Sequence, residues 1–306
     1  MILRFTVDKT LGVPLPLRVF LRQKGISQCM WRKLKNNGVV NVNGIDVNLT
    51  RTMLNGGEEI SVSLPEATDI LPVDIPLDII YEDEYLLVVN KPAGQLVHPV
   101  GKDFDNTIGN AVMGYYQRQG LPLSFHPVHR LDRNTSGLVL IAKQPNVQHL
   151  LTTGAKKLFQ RHYLAVIPGA LTEPDGVIDA PIGRKPGSIV EQEVSATGKP
   201  ALTYYRVIDV NFDSQYSLLE LTLATGRTHQ IRVHLSHLGH PLVGDDLYGG
   251  SRELFSRQAL HAYKMELTHP ITKDPLTFYA PLPDDFQVLC QNLKLTAKIQ
   301  CGIRNS

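Results

Sequence analysis

The stretch His129-Arg130-Leu131-Asp132-Arg133-Asn134-Thr135-Ser136-Gly137 sets an acid beside an arginine, just ahead of a turn-forming Thr-Ser-Gly. The apolar run Leu138-Val139-Leu140-Ile141-Ala142 follows directly and reads as a buried strand. A carboxylate on a turn against a rigid strand stands where proteins commonly place reactive groups. Taken alone, an Asp before Asn-Thr-Ser-Gly is more often an ordinary turn residue. A second stretch far along the chain weighs on that choice: Thr225-Gly226-Arg227-Thr228-His229-Gln230-Ile231-Arg232-Val233-His234.

At 306 residues the chain is long enough for two domains, with ample apolar content for a core. Its formal net charge of +2 argues against a uniformly basic coat. The distribution is uneven. Residues 1–65 carry nine Lys and Arg against four Asp and Glu, a local +5, so the remainder sums to −3. A basic leading module on a near-neutral body suggests an electrostatic handle for phosphates. Cys29, Cys290 and Cys301 lack paired spacing, so they suit neither a disulfide framework nor a zinc site. A reducing compartment is expected. No run approaches the ~20 apolar residues of a membrane span, and the amino terminus has no signal-peptide design. The expectation is a cytoplasmic protein without a membrane partner.

In the leading module, Pro16–Arg22 reads as a short helix with Gly25 as its stop. Ser27 suits the N-cap of a second helix, closed by Asn37-Gly38. Met30 and Leu34 share one face of it, and Arg32, Lys33 and Lys35 point elsewhere. Residues 39–47 read as two strands around an Asn-Gly hairpin turn. A last strand follows Gly56-Gly57. Residues 65–77, with Pro65, Pro72 and Pro76, read as a linker.

The body, 78–306, shows strands near 79–81, 86–90, 138–142, 161–167, 201–210, 216–224, 259–267 and 276–280. Helices are expected after Thr107 to about Gln119, over 228–238, and from about Pro283 to Lys298. Strands cluster without regular βαβ alternation, which favours an α+β fold with a mixed, mainly antiparallel sheet.

Together the two opening stretches resemble the RluA-type family of pseudouridine synthases, which isomerises uridine in RNA to its C-glycoside. Asn90-Lys91-Pro92-Ala93-Gly94, followed by Val97-His98-Pro99, looks like that family's first motif. Arg161-His162-Tyr163-Leu164-Ala165-Val166 looks like its tyrosine-bearing strand. The resemblance runs from about residue 78 to about residue 283, in the family's order. One departure is Arg161, which stands where many members carry Lys and keeps the charge. The family's long mixed sheet bent around a central cleft agrees with the strand pattern. The leading module, about 14–64, resembles the small RNA-binding domain named after ribosomal protein S-four. There the basic helix pair grips the RNA backbone, which gives position rather than sequence.

The resemblance implies roles. Asp132 is the acid on which the isomerisation turns, as a nucleophile at the sugar or the base, or as a base removing a sugar proton. Its charge in a shielded site requires a positive partner, and Arg227 matches the family's active-site arginine. Tyr163 matches its active-site tyrosine, able to stack on a flipped uracil and to help remove the final proton. Arg130 either fills the gap left by the flipped base or contacts a phosphate. His129 reads as a structural member of its turn, and His229 as ordering the loop of Arg227. His229, His234, His237 and His240 lie near Asp245 and Asp246, yet no His-Glu-x-x-His pattern is present, so no metal is expected. Gly244–Gly249 reads as an architectural turn. No cofactor is required by the chemistry. The partner is RNA, with large-subunit ribosomal RNA favoured over transfer RNA and contacted by Arg130, Arg32, Lys33 and Lys35, and a monomer is expected. The alternative is a non-catalytic RNA-binding or ribosome-assembly protein that retains the fold. A glycoside hydrolase would want a second motif-borne carboxylate.

Overall fold

A computed structural model describes residues 2–10, 12–63, 69–101, 104–153 and 158–296. Residues 64–68 of the expected leading module and linker, and 297–306 including the end of the expected terminal helix, lie outside the described residues.

The leading module holds strands β1 (Ile2–Thr6) and β2 (Leu15–Pro16), helices α1 (Leu17–Gln23) and α2 (Gln28–Asn37), then β3 (Val39–Val42), β4 (Ile45–Asp46), β5 (Met53–Leu54) and β6 (Glu59–Ser63). Ser27 caps α2 through its hydroxyl, which accepts from the Met30 N–H at 3.1 Å. Met30, Trp31 and Leu34 face inward while Arg32, Lys33 and Lys35 are exposed. Asn43 and Gly44 both adopt positive φ, 51° and 81°, as the two-residue hairpin between β3 and β4 demands. The sheet runs β1-β6-β3-β4. Its first strand starts well before residue 14, because Leu3 and Val7 complete the module's core.

The body continues with β7 (Ile79–Glu82), β8 (Leu86–Lys91), α3 (Ile108–Arg118), β9 (His126–Pro127), β10 (Ser136–Ala142), α4 (Pro145–Thr152) and β11 (Phe159–Pro168). Then come β12 (Asp175–Asp179), β13 (Ile182–Arg184), β14 (Gln192–Val194), β15 (Leu202–Asn211), β16 (Tyr216–Leu223) and α5 (Gln230–His237). A short 3-10 turn (Asp246–Tyr248), β17 (Leu260–Thr268), β18 (Pro275–Tyr279) and α6 (Asp284–Asn292) complete it. The central sheet has ten strands, along β12-β15-β16-β11-β17-β10-β8-β7, with β18 on β17 and β9 on β10. Its pairings are antiparallel except β10 with β17. The mixed, mainly antiparallel sheet is therefore as expected.

Both faces are covered, which explains the unbroken apolar runs. Val139 and Ile141 of β10 pack on one side with Val112 and Tyr116 of α3. Leu138 and Leu140 pack on the other with Val147 and Leu151 of α4. Thr107 and Asn110 cap α3 reciprocally, each side chain bonding the other's backbone N–H. The part of the expected linker that is described lies along α3: the Val73 N–H donates to Asn110 O at 3.1 Å. A Cβ on Gly114 would sit 2.1 Å from Val73 O, so only glycine allows that approach.

The parallel pairing is only two residues long, Ser136 with His261 and Gly137 with Ala262. Gly137 has φ +113°, and a Cβ there would meet Ala262 O at 2.2 Å. Beyond this seam the two strands part. The space is taken by β9 and the loop after it, with Val128 N–H donating to Leu140 O and Leu140 N–H to His129 Nε2 at 3.2 Å. The β10 edge thus keeps its hydrogen bonds by accepting the segment that carries Asp132. His129 also stacks on Phe159 of β11, at 5.7 Å, and so bridges the split.

Several elements were not expected from the sequence. Helix α4 is one of them, with Pro145 in its first turn. The strands β12, β13 and β14 are short and polar, which hides them from periodicity.

Burial holds two imidazoles of this seam neutral, His129 at about 3 and His261 at about 4. Unfolded, each would titrate near ~6.5. Below that value the unfolded chain binds protons that the native one does not, so stability is full above it and falls as pH drops toward 4. Thermal melts between pH 7 and 4 should show a falling Tm. The His261→Gln variant should show a shallower fall across the same range.

Candidate active site

The loop of Asp132 is fixed by buried cations on its carbonyls. Lys91, fully buried, donates to Pro92 O and Gln95 O at 2.7 Å and to Arg133 O at 2.9 Å. These three acceptors match the three hydrogens of an ammonium group. Burial draws Lys91 down to about 7, while the charge of Asp132 pulls the other way. Arg257 donates to Asn134 O at 3.0 Å and forks onto Asp285 at 2.7 and 2.9 Å. Gln258 reaches the Thr135 hydroxyl at 3.2 Å, and the Thr135 N–H closes the turn onto Asp132 O at 3.1 Å. The family-like motif at residues 90–94 therefore acts on the loop through Lys91.

The partner of Asp132 is Arg232. Its Nη1 lies 3.2 Å from Asp132 Oδ2, while its Nε and Nη2 fork onto Asp245 at 2.7 Å each. Both Arg232 and Asp245 are buried, and the guanidinium lies 4.9 Å above the Tyr248 ring. This corrects the expected pairing of Asp132 with Arg227. Arg227 precedes α5 in the turn after β16, and its Nε donates outward to Pro200 O at 2.9 Å. Its backbone N–H is tied to Gln230 Oε1 at 3.0 Å, so the turn points it along the rim. Arg232 sits inside α5 among buried Ile231, Val233 and Leu235. A charge there requires carboxylates. That signal, an arginine in an apolar helical stretch, was present in the sequence.

Asp132, Tyr163, Arg227 and Arg130 line one cavity of about 310 Å³, together with Leu131, Leu223, Arg161 and His229. The sequence-predicted side chains of the body thus come together, with Arg130 exposed at the mouth. Tyr163 is buried on β11, opposite the two-residue bulge Ala262-Tyr263 of β17. Burial pushes its phenol up, against the pull of Arg161. Arg161 lies beside it on the same strand and donates to Thr225 O at 3.3 Å. Arg32, Lys33 and Lys35 belong to the leading module and do not line the cavity. That module touches α4, whose end lines the cavity, through Lys24 O, which accepts from Asn146 Nδ2 at 3.3 Å.

The histidines have separate engagements. His234 bonds Thr203 Oγ1 and Ala180 O, both at 2.9 Å, and His240 bonds Pro168 O at 2.9 Å. His229 bonds the Tyr248 hydroxyl at 2.7 Å. Among the described residues no group of three or more His, Cys, Asp or Glu could hold a metal ion, and no helix is long and apolar enough to cross a membrane. The turn at residues 244–249, read as architectural, supplies Asp245 and Tyr248 to the site.

A family profile described as RNA pseudouridylate synthase matches residues 85–237. YjbO of Bacillus subtilis, an uncharacterised RNA pseudouridine synthase, is 40% identical over 278 residues, covering 89% of this chain and 97% of that protein. Ribosomal large subunit pseudouridine synthase D of Haemophilus ducreyi is 41% identical over 279 residues, or 84% of each chain. The solved human RNA pseudouridylate synthase domain containing 1 aligns with a TM-score of 0.56 at 25% identity, over 76% of this chain and 98% of that one. With the profile spanning half its length and relatives this similar along nearly all of it, the chain belongs to the RNA pseudouridylate synthase family.

Proposed function

We propose that this protein isomerises specific uridines of folded RNA to pseudouridine, with large-subunit ribosomal RNA as its substrate and Asp132 as the reacting acid. The observation that carries the reading is the Arg232–Asp132 pair, 3.2 Å apart, beside Tyr163 on a single cavity. Relatives named as ribosomal large subunit pseudouridine synthase D favour the ribosomal substrate.

In the reaction the bond between N1 of uracil and C1′ of ribose breaks, the base turns, and C5 bonds to C1′. The proton on C5 then leaves and N1 gains one, so no electrons are exchanged with a cofactor. An extruded uridine would enter past Arg130, and the cavity has room for one base. Arg232 is charged at every working pH and holds Asp132 in one orientation. Asp245 fixes Arg232 in turn, so little reorganisation remains for the reacting state. The Tyr163 phenol, kept protonated by burial, offers an aromatic face to the uracil and a hydroxyl that can relay the closing proton, taking it from C5 only as it passes its own proton on. The leading module, read as an S-four-like RNA handle, would contact phosphates through Arg32, Lys33 and Lys35, all exposed on α2.

Asp132→Ala and Asp132→Asn should abolish pseudouridine formation in a ribosomal RNA transcript while folding and RNA affinity persist. Pseudouridine mapping and detection of free uracil read this out; Ala turnover within tenfold of the parent would refute the assignment. Mapping ribosomal and transfer RNA from a deletion strain identifies the substrate.

The two arginines should separate. Arg232→Lys keeps the charge but loses the fork, and the saturating single-turnover rate should fall more than tenfold. Arg227→Ala should mainly weaken RNA binding and leave that saturating rate within a few-fold of the parent. Single-turnover rate against enzyme concentration distinguishes the two.

Replacing Arg32, Lys33 and Lys35 together by Ala should lower RNA affinity and flatten its salt dependence. Each lost phosphate contact removes about 0.9 from the log–log slope on a duplex. Binding titrations at several salt concentrations measure it.

A further inference from the structure

We propose that His229 is a positioning residue for Asp132, donating from Nε2 to the carboxylate oxygen that Arg232 leaves free, with its tautomer set from the β13–β14 hairpin through Tyr248. The inference rests on the reading of Asp132 as the reacting acid. Arg232 takes Oδ2 at 3.2 Å, and His229 Nε2 lies 3.9 Å from Oδ1. A shift of about 1 Å, within ordinary side-chain motion, brings that pair to hydrogen-bond distance.

The direction of the proton follows from the partners of Tyr248. The Gln192 backbone N–H donates to the Tyr248 hydroxyl oxygen at 3.0 Å. The hydroxyl has its own hydrogen to place as well, and among the described residues its acceptor is His229 Nδ1, at 2.7 Å. With Nδ1 accepting, the neutral ring carries its hydrogen on Nε2, the atom that faces Asp132. Arg232 lies over the Tyr248 ring at 4.9 Å, and a cation on that face strengthens the hydroxyl as a donor. Burial keeps the Tyr248 phenol protonated. It also lowers His229, against the charge of Asp132, so the ring is neutral at pH 7.

The backbone supports the same reading. His229 takes φ 56° and ψ 21° at the start of α5, a left-handed conformation that side-chain-bearing residues seldom adopt. The ring meets Tyr248 edge to face at 5.6 Å. With one donor on each oxygen, the carboxylate plane of Asp132 is fixed about its last torsion. Arg232 alone would leave it free to swing.

The test uses the full chain. In ¹⁵N-histidine-labelled protein without RNA, His229 should show a protonated Nε2 and an unprotonated Nδ1 at pH 7, and Tyr248→Phe should erase that preference. On a ribosomal RNA transcript, His229→Ala should lower the saturating single-turnover rate at least tenfold without changing RNA affinity. His229→Gln, whose amide can replace the Nε2–H, should recover part of the loss, and Tyr248→Phe should fall between parent and His229→Ala. A parent ring with its hydrogen on Nδ1, or a His229→Ala rate within twofold of the parent, would overturn the inference. Melting curves screen each variant for folding, and His229→Gln carries the kinetic arm if His229→Ala does not fold. A parent inactive on every RNA refutes the functional reading instead, and the tautomer in that same protein still decides whether His229 is set as described.

Discussion

Arg232 is the constraint on which the site is built. A guanidinium inside a helix among apolar neighbours must be neutralised and fully hydrogen-bonded, or the helix does not pack there. Asp245 meets most of that demand from a buried position, with two bonds at 2.7 Å. One nitrogen remains, and it points at Asp132. Asp132 is therefore the second partner of a cation already anchored by the first. Asp132 is half-buried and gains its orientation without having to carry the burial cost of the arginine.

The same economy governs the loop that presents Asp132. Its carbonyls accept from two buried cations, Lys91 and Arg257. Each cation comes from a strand end or loop beside the seam. The polar content of the site is therefore a network in which every member holds a neighbour. Loss of one partner leaves buried groups unpaired, which costs more than the net worth of the bond removed.

Much of this was legible in the chain. The Ser27 cap, the Asn43-Gly44 hairpin and the Thr107 cap each need a residue of a particular kind at a particular place, and the sequence has it. Asp132 and Tyr163 stood out through the resemblance of their motifs to the family's, and the apolar runs beside them showed only that those motifs lie next to strands. The arginine was misread because Arg227 and Arg232 lie in one motif, five positions apart. Choosing between them needs the start of α5, at Gln230, and the fold-back of Asp245. Neither is a local property. The role of Tyr248 was hidden for the same reason, since its partners Gln192 and His229 come from a hairpin and a helix start. The polar strands of that hairpin carry no periodicity to announce them.

The seam between β10 and β17 has one further consequence. Asp132 is delivered from the side of β9 and β10, while Tyr163 and Arg232 come from the side of β11 and α5. Two residue pairs of ladder join the backbones of those halves, helped by the Arg257 and Gln258 side chains, the His129–Phe159 stack and the apolar layers above and below. A slip of one half past the other by a single ångström would leave each half's secondary structure intact and pull Asp132 away from Arg232 and Tyr163. Catalysis is thus a finer gauge of this molecule's integrity than its helix and sheet content, and mild heat or low denaturant would silence the enzyme before circular dichroism registers any change.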